Sequence, residues 1–253
     1  MSSERPLDGQ AALVTGASAG IGRETAKRLA ADGADVALAA RREERLREIA
    51  DEIETDHDVE TAVVPTDVTD EDAVEAMVET AVDALGGLDV VVNNAGTGTP
   101  SGVAVEDLDT EAYRTVMDVN TDGMFFTARA VLPHLRESEG VLVFVGSFAG
   151  NFPRPGSPVY AATKWWTRGF ALSLAGQVGD DDVAVTVVNP SEVRSEFGKE
   201  FREPEELSKE RYDPREVTEP EDIADAIAYA ARQEPPNAVT ELDLYRRDKF
   251  GGF

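Results

Sequence analysis

The sequence predicts an α/β fold, a doubly wound parallel sheet with helices on both faces. Three observations carry this. Short runs that are apolar throughout recur along the chain, as strands buried on both faces require. Stretches with apolar residues at helical spacing separate them. The two kinds of segment alternate as β-α-β-α-β-α-β, then a helical pair, then β-α-β. Crossovers in such a sheet are expected to be right-handed.

The elements follow in order. Residues 11–14 form the first strand, and residues 22–32 a helix with Ala26, Leu29 and Ala30 on one face. Residues 36–40 form the second strand. The helix over 42–54 places Leu46, Ile49, Ala50 and Ile53 at i, i+3, i+4 and i+7. Residues 62–64 form the third strand. The helix over 70–85 carries Val74, Met77, Val78, Ala81 and Val82, with Thr69 and Asp72 expected to cap it. Residues 88–92, 141–145 and 183–188 form the fourth to sixth strands. The segment 191–216 breaks the rhythm: it is dense in charge, with Phe197, Phe201 and Leu207 spaced through it. It reads as a short helical insertion covering the site as a lid, or as a solvated acidic loop. No internal repeat or linker is visible, so one domain is expected over 1–253.

Composition excludes several chemistries. The 253 residues include 50 Asp+Glu against 24 Lys+Arg, a formal net charge of −26, with no Cys and only two His, His57 and His134. Neither histidine carries a motif. Disulfides, thiol nucleophiles and thiolate metal sites all need Cys. A multi-histidine zinc site is excluded as well, and no metal is expected, although carboxylates alone can hold Mg²⁺ or Ca²⁺. The acidity argues against a nucleic-acid partner and against anionic membrane surfaces. The 42% hydrophobic content argues against a disordered acidic chain. The polar N-terminus lacks an apolar targeting core, and the longest apolar runs are strand length, so a cytoplasmic location is the default. Only five of the 24 basic residues are lysines. Many carboxylates with few lysines resemble proteins of salt-accumulating halophiles, where salt screens self-repulsion. An ordinary acidic cytosolic protein is the blander reading.

The residues after the first strand read Thr15-Gly-Ala-Ser-Ala-Gly-Ile-Gly22 and open the first helix. Glycine permits a tight turn and close approach of backbone to a phosphate. The helix N-terminus offers free N–H groups and a positive dipole end. Cofactor choice belongs at the end of the second strand, where NAD sites place Asp or Glu against the ribose 2′-hydroxyl. This chain has Ala40 followed by Arg41 and Arg42. A guanidinium pairs with a 2′-phosphate, which predicts NADP(H); a solvated helix start is the bland reading.

Tyr160 and Lys164 lie four apart, on one face of a predicted helix. An adjacent ammonium favours tyrosinate, which suits Tyr160 to exchange a proton. Ser147 follows the strand Val141–Val145 and is placed to hold a substrate carbonyl. Further motifs stand at strand ends: Asp67-Val-Thr69, Asn93-Asn-Ala-Gly96 and Asn189-Pro190, with Asn120 in Met117-Asp-Val-Asn-Thr121.

Taken together, these motifs make the chain resemble a short-chain dehydrogenase/reductase of the branch with about 250 residues, over nearly its whole length and in the family's order. The resemblance implies a Rossmann-type sheet of about seven strands, with Leu242, Leu244 and Tyr245 in a final edge strand. It places Gly16, Ser18, Gly20 and Gly22 around the cofactor phosphates and Ile21 against the pyrophosphate end. Asp67 and Val68 hold adenine; Asn94, Ala95 and Gly96 line the cofactor floor. Ser147 polarises the carbonyl and Tyr160 is the general acid/base. Lys164 binds the nicotinamide ribose and depresses the tyrosine pKa, and Asn120 positions a water that relays protons through Lys164. Pro190 and Val193 contact the nicotinamide amide. One departure is Ser191, where the family usually has glycine.

The implied reaction is hydride transfer between nicotinamide and a carbonyl or secondary alcohol of a small-molecule substrate. Phe148, Asn151, Phe152, Val193, Phe197 and Phe201 are candidate pocket residues, with simple packing an equal explanation for each. Trp165 and Trp166 fit a subunit contact better than a substrate contact, so a homo-oligomer, dimer or tetramer, is expected. Two alternatives stand beside the main reading: a 3-oxoacyl-carrier-protein reductase, and a non-catalytic dinucleotide-sensing scaffold of the same fold.

Overall fold

A computed structural model of the chain describes residues 5–194, 196–197 and 217–249. The strands are β1 Ala11–Thr15, β2 Asp35–Ala40, β3 Thr61–Pro65, β4 Val90–Asn93, β5 Val141–Val145, β6 Ala184–Pro190 and β7 Glu241–Leu244. The helices are α1 Gly20–Ala31, α2 Glu43–Asp56, α3 Glu71–Leu85, α4 Thr110–Met117, α5 Gly123–Ser138, α6 Pro158–Val178 and α7 Pro220–Ala231. The seven strands form one sheet in the order β3-β2-β1-β4-β5-β6-β7, and every neighbouring pair is parallel. The order reverses between β1 and β4. Outside the carboxyl ends of those strands a doubly wound sheet opens its ligand crevice.

The alternating direction of strand side chains feeds two cores. Ala12, Val14, Val36, Leu38, Val92 and Val143 pack on one face with apolar residues of α1, α2 and α7. Leu13, Ala37, Val91, Leu142, Phe144 and Val187 pack on the other with those of α3, α5 and α6. Strands β1, β4 and β5 are buried at every position, which is why they read as unbroken apolar runs. The buried stripe of α1 (Ala26, Leu29, Ala30) shares its cluster with Ile223, Ile227 and Ala231 of α7. Arg232, which caps α7, donates from Nε to Asp32 at 2.8 Å, closing the chain across 200 residues.

Two expectations change in detail. The cap of α3 is Asp70, whose carboxylate accepts from the Ala73 amide, rather than Thr69. The Thr69 hydroxyl is already engaged with Asp67, 2.9 Å away, and is not available to the helix. Ser191 needs no glycine-like backbone: among the described residues only Glu139 and Asp182 are non-glycines with positive φ, at 54° and 56°. Most of segment 191–216, including Phe201 and Leu207, lies outside the described residues. No described helix is long and apolar enough to cross a membrane, and no described acidic or histidine cluster is placed to hold a metal.

Candidate active site

The phosphate loop is a cradle that side chains would fill. Gly16 and Gly20 take left-handed backbone, with φ 68° and 53°. A Cβ on Gly22 would fall 2.4 Å from the Gly16 carbonyl oxygen, so the first turn of α1 packs against the loop only because it lacks one. Ala19 begins α1 without a side-chain cap, and no acidic residue occupies the first turn. No carboxylate of that turn competes for the amides and dipole, as an anionic pyrophosphate requires. Ile21 is partly buried against the core beside them. The residues present therefore fit a dinucleotide.

Thr15 ties the floor to this loop. Its Oγ1 accepts from the amides of Asn94 (3.0 Å) and Ala95 (3.1 Å), and Asn94 Nδ2 donates to the Thr15 carbonyl at 2.8 Å. Gly96 follows; a Cβ there would lie 3.5 Å from Asn120 Oδ1 and 3.8 Å from Lys164 Nζ. At the end of β3, Asp67 accepts from the amide and hydroxyl of Thr69. Val68 is buried, its Cγ2 2.9 Å from the position of a Cβ on Gly123.

The two arginines after β2 part company. Arg42 donates from Nε (3.1 Å) and Nη2 (3.0 Å) to the Ser18 hydroxyl, which joins it to the phosphate loop. Its Nη1 pairs with Glu196 at 3.0 Å. Arg41 is exposed.

The four catalytic candidates converge from β5, α6 and the turn between α4 and α5. Ser147 accepts from the Ala149 amide at 3.1 Å, and its own amide donates to Asn189 Oδ1 at 3.2 Å. The Ser147 hydroxyl is close enough to Tyr160 to act on its phenol. Tyr160 keeps some contact with solvent, yet the protein packed around it pushes the phenol above its usual value. The Ser147 hydroxyl and the Arg154 charge work against that shift. This differs from the expected depression by Lys164. Lys164 is 3% exposed, and its ammonium donates to the Val145 carbonyl at 2.9 Å. Burial lowers its own pKa to about 8.

Asn120 sits in a π-helical turn, Asp118–Asp122, a widening that often marks functional positions. Its Nδ2 donates to the Thr97 carbonyl (2.9 Å) and Thr163 Oγ1 (3.0 Å), and its Oδ1 accepts from the Thr97 amide (2.8 Å). Thr163 in turn donates to the Tyr160 carbonyl at 2.7 Å. The side chain of Asn120 thus fastens the strand-end loop to α6.

Pro190 is buried at the end of β6, and Val193 forms an isolated bridge with Thr218. Asn189 Nδ2 donates to Glu241 and Asp243, each at 2.8 Å, and Arg168 pairs with Glu241. A chain of contacts therefore runs from α6 through β7 to the Ser147 amide. Thr15, Thr163, Arg168 and Glu241 were not singled out in the sequence. Their partners lie far away along the chain, and only the repeated strand-end Asn and Thr residues hint at them.

Several pocket candidates have structural work. Phe148 stacks on Phe152 (centroids 4.5 Å apart) and meets Tyr245 edge-on, while Asn151 donates to Asp243 and Tyr245. Phe197 lies against the Tyr160 ring, 5.6 Å between centroids. Trp166 stacks on Phe170 at 4.8 Å, whereas Trp165 is 48% exposed.

A glycine cradle at a sheet switch point, with serine, tyrosine and lysine beside it, defines an NAD(P)-dependent oxidoreductase. The chain belongs to the short chain dehydrogenase family, whose pattern it matches over residues 10–206. It is 33% identical over 239 residues to an uncharacterized oxidoreductase of Staphylococcus aureus (strain USA300), covering 94% of this chain and 97% of that one. Among solved structures it is similar to an alcohol dehydrogenase from the archaeon Thermococcus sibiricus complexed with 5-hydroxy-NADP. The TM-score is 0.85 and the identity 30%, over 94% of this chain and 97% of that one. It is also similar to a 3-ketoacyl-(acyl-carrier-protein) reductase from Brucella melitensis complexed with NADH. There the TM-score is 0.83 and the identity 28%, over 95% and 98% of the two chains.

Proposed function

We propose that the protein is an NADP(H)-dependent reductase of small carbonyl compounds, working reversibly on the corresponding secondary alcohols. A bound nicotinamide cofactor supplies the hydride. Ser147 holds the carbonyl oxygen and Tyr160 delivers the proton to it. Lys164 binds the nicotinamide ribose hydroxyls, and Asn120 holds the turn through which a water reaches Lys164. Pro190 and Val193 contact the nicotinamide amide, and Asp67 and Val68 the adenine. A Tyr160 hydroxyl held above its usual pKa keeps its proton at neutral pH, which favours reduction.

The observation behind the choice of NADP(H) is Arg42, bonded to Ser18 of the phosphate loop where a dinucleotide presents its 2′ position. Charge-assisted hydrogen bonds contribute about 1.5–3 kcal/mol, so Arg42→Ala should raise the KM for NADPH roughly 10- to 100-fold. The KM for NADH should change far less, and Arg41→Ala should matter less than Arg42→Ala. Equal losses with both cofactors in steady-state kinetics would refute the assignment.

Acyl thioesters are the second substrate reading, favoured by likeness to the Brucella melitensis reductase. Turnover across ketones, aldehydes, sugars, hydroxy acids and thioesters separates the two. Exposed aromatics on α5 and α6, Phe125 and Trp165, support a homo-oligomer, dimer or tetramer. The composition supports a cytoplasmic protein adapted to high salt; the staphylococcal relative lends the salt reading no support.

A further inference from the structure

The stretch of chain that joins Ser147 to Tyr160 helps line a cavity of about 410 Å³, whose walls include Ser101, Phe148, Pro153, Arg154, Ser157 and Lys249. Phe148 directly follows Ser147, and Ser157 precedes the helix that carries Tyr160. Two of these walls are cationic, in a chain whose net charge is −26.

Lys249 is not a solvated surface lysine. Its side chain is 11% exposed, and its Nζ stands 4.3 Å from the centroid of the Phe148 ring. A buried ammonium is costly without a counter-charge. Among the described residues its partner is Glu192, and the same carboxylate oxygen lies 3.8 Å from Arg154 Nη1. One carboxylate oxygen thus stands against two cations. The local potential is legible in the neighbours. Burial works to raise the Glu192 carboxyl; the Lys249 hydrogen bond and the Lys249 and Arg154 charges outweigh it and hold the group below its usual range. The Arg154 charge also reaches Tyr160.

We propose that this cavity receives a carboxylate end of the substrate, bound by Arg154 and Lys249 over the Phe148 ring, so that the enzyme acts on oxo acids. Glu192 shows the chemistry, since a carboxylate already sits between the two cations. In a chain of net charge −26, Arg154 and Lys249 are the groups of this cavity that would draw an anion. The inference rests on the carbonyl-reductase reading above.

The test uses the full chain with NADPH and two matched pairs, pyruvate with methyl pyruvate and levulinate with methyl levulinate, at one fixed salt concentration. For at least one pair, kcat/KM should favour the acid by about tenfold or more, and Arg154→Gln should reduce that ratio about tenfold. Arg154 is exposed, so this variant should fold; Lys249→Gln gives a second reading of the same ratio. Succinate, which has no reducible carbonyl, reads the cavity without turnover. It should raise the Tm of the native chain and not of Arg154→Gln, while dimethyl succinate should raise neither. Esters turned over as well as their acids, or a Tm unmoved by succinate, would overturn the proposal. Succinate binding without turnover of any carbonyl compound would retain the anion site and sink the reductase reading instead.

Discussion

In the proposed reaction Lys164 is the residue on which the chemistry turns. Its ammonium is buried behind the site with the Val145 carbonyl as its bonded partner, and burial brings its pKa down to about 8. It is charged below that pH and neutral above it. Tyr160 moves the other way and keeps its proton. The two signs together predict a reduction rate (kcat/KM) that is level through neutral pH and falls as pH rises past about 8, where the lysine charge is lost before the tyrosine proton. A pH–rate profile checks this against Tyr160→Phe, which has no proton to give and should lose about 10²–10⁴-fold at every pH. A profile that climbs steadily between neutrality and the alkaline limb would contradict the assignment.

At the scale of elements, the helices differ in how they begin. The first turn of α1 is uncapped and faces the phosphate loop, whereas α3 starts on Asp70, whose carboxylate accepts from the Ala73 amide at 3.2 Å. Asp70→Ala should therefore cost about 1 kcal/mol and lower Tm by about 2–4 °C, with kcat and both cofactor KM values unmoved. A loss of NADPH affinity would show that the α3 cap also supports the adenine side. The same contrast marks what a sequence can report. Strands β1, β4 and β5 were legible because burial on both faces leaves continuous apolar runs. Tyr160, Lys164 and Ser147 could be picked out as candidates because their spacing is local to one helix and the strand before it. Arg154 and Lys249 with Glu192, Asn189 with Ser147, and Asn120 with Thr97 and Thr163 were not. Each of these contacts joins separate elements, and no local periodicity encodes such a meeting. Arg41 and Arg42 are adjacent and chemically alike, so only the fold separates the one that meets Ser18 from the one facing solvent.

For the molecule as a whole, self-repulsion and local pairing respond to salt in opposite ways. Surface pairs such as Arg23–Glu52, Lys27–Glu52 and Arg136–Asp181 weaken when screened, but each contributes only about 0–1 kcal/mol. The 26 uncompensated negative charges repel one another throughout, and screening relieves all of them at once. Repulsion should win, so Tm should rise by about 5–10 °C between dilute buffer and molar KCl; at roughly 2–4 °C per kcal/mol this needs only a few kcal/mol of relief. A flat or falling Tm in a KCl series would mean that the ion pairs dominate. The pairing of α1 with α7 has a consequence in time. The first helix emerges early in synthesis, yet the apolar stripe of Ala26, Leu29 and Ala30 is covered by Ile223, Ile227 and Ala231, and Asp32 waits for Arg232. The glycine cradle likewise gains its floor only when β4 docks on β1, across some 79 residues. Closing such long loops comes before any reward from the contacts they make. The ribosome must therefore deliver α7 before the first helix, already lying on β1 and β2, is fully covered, and a nascent chain stalled before α7 would leave part of that stripe open to chaperones.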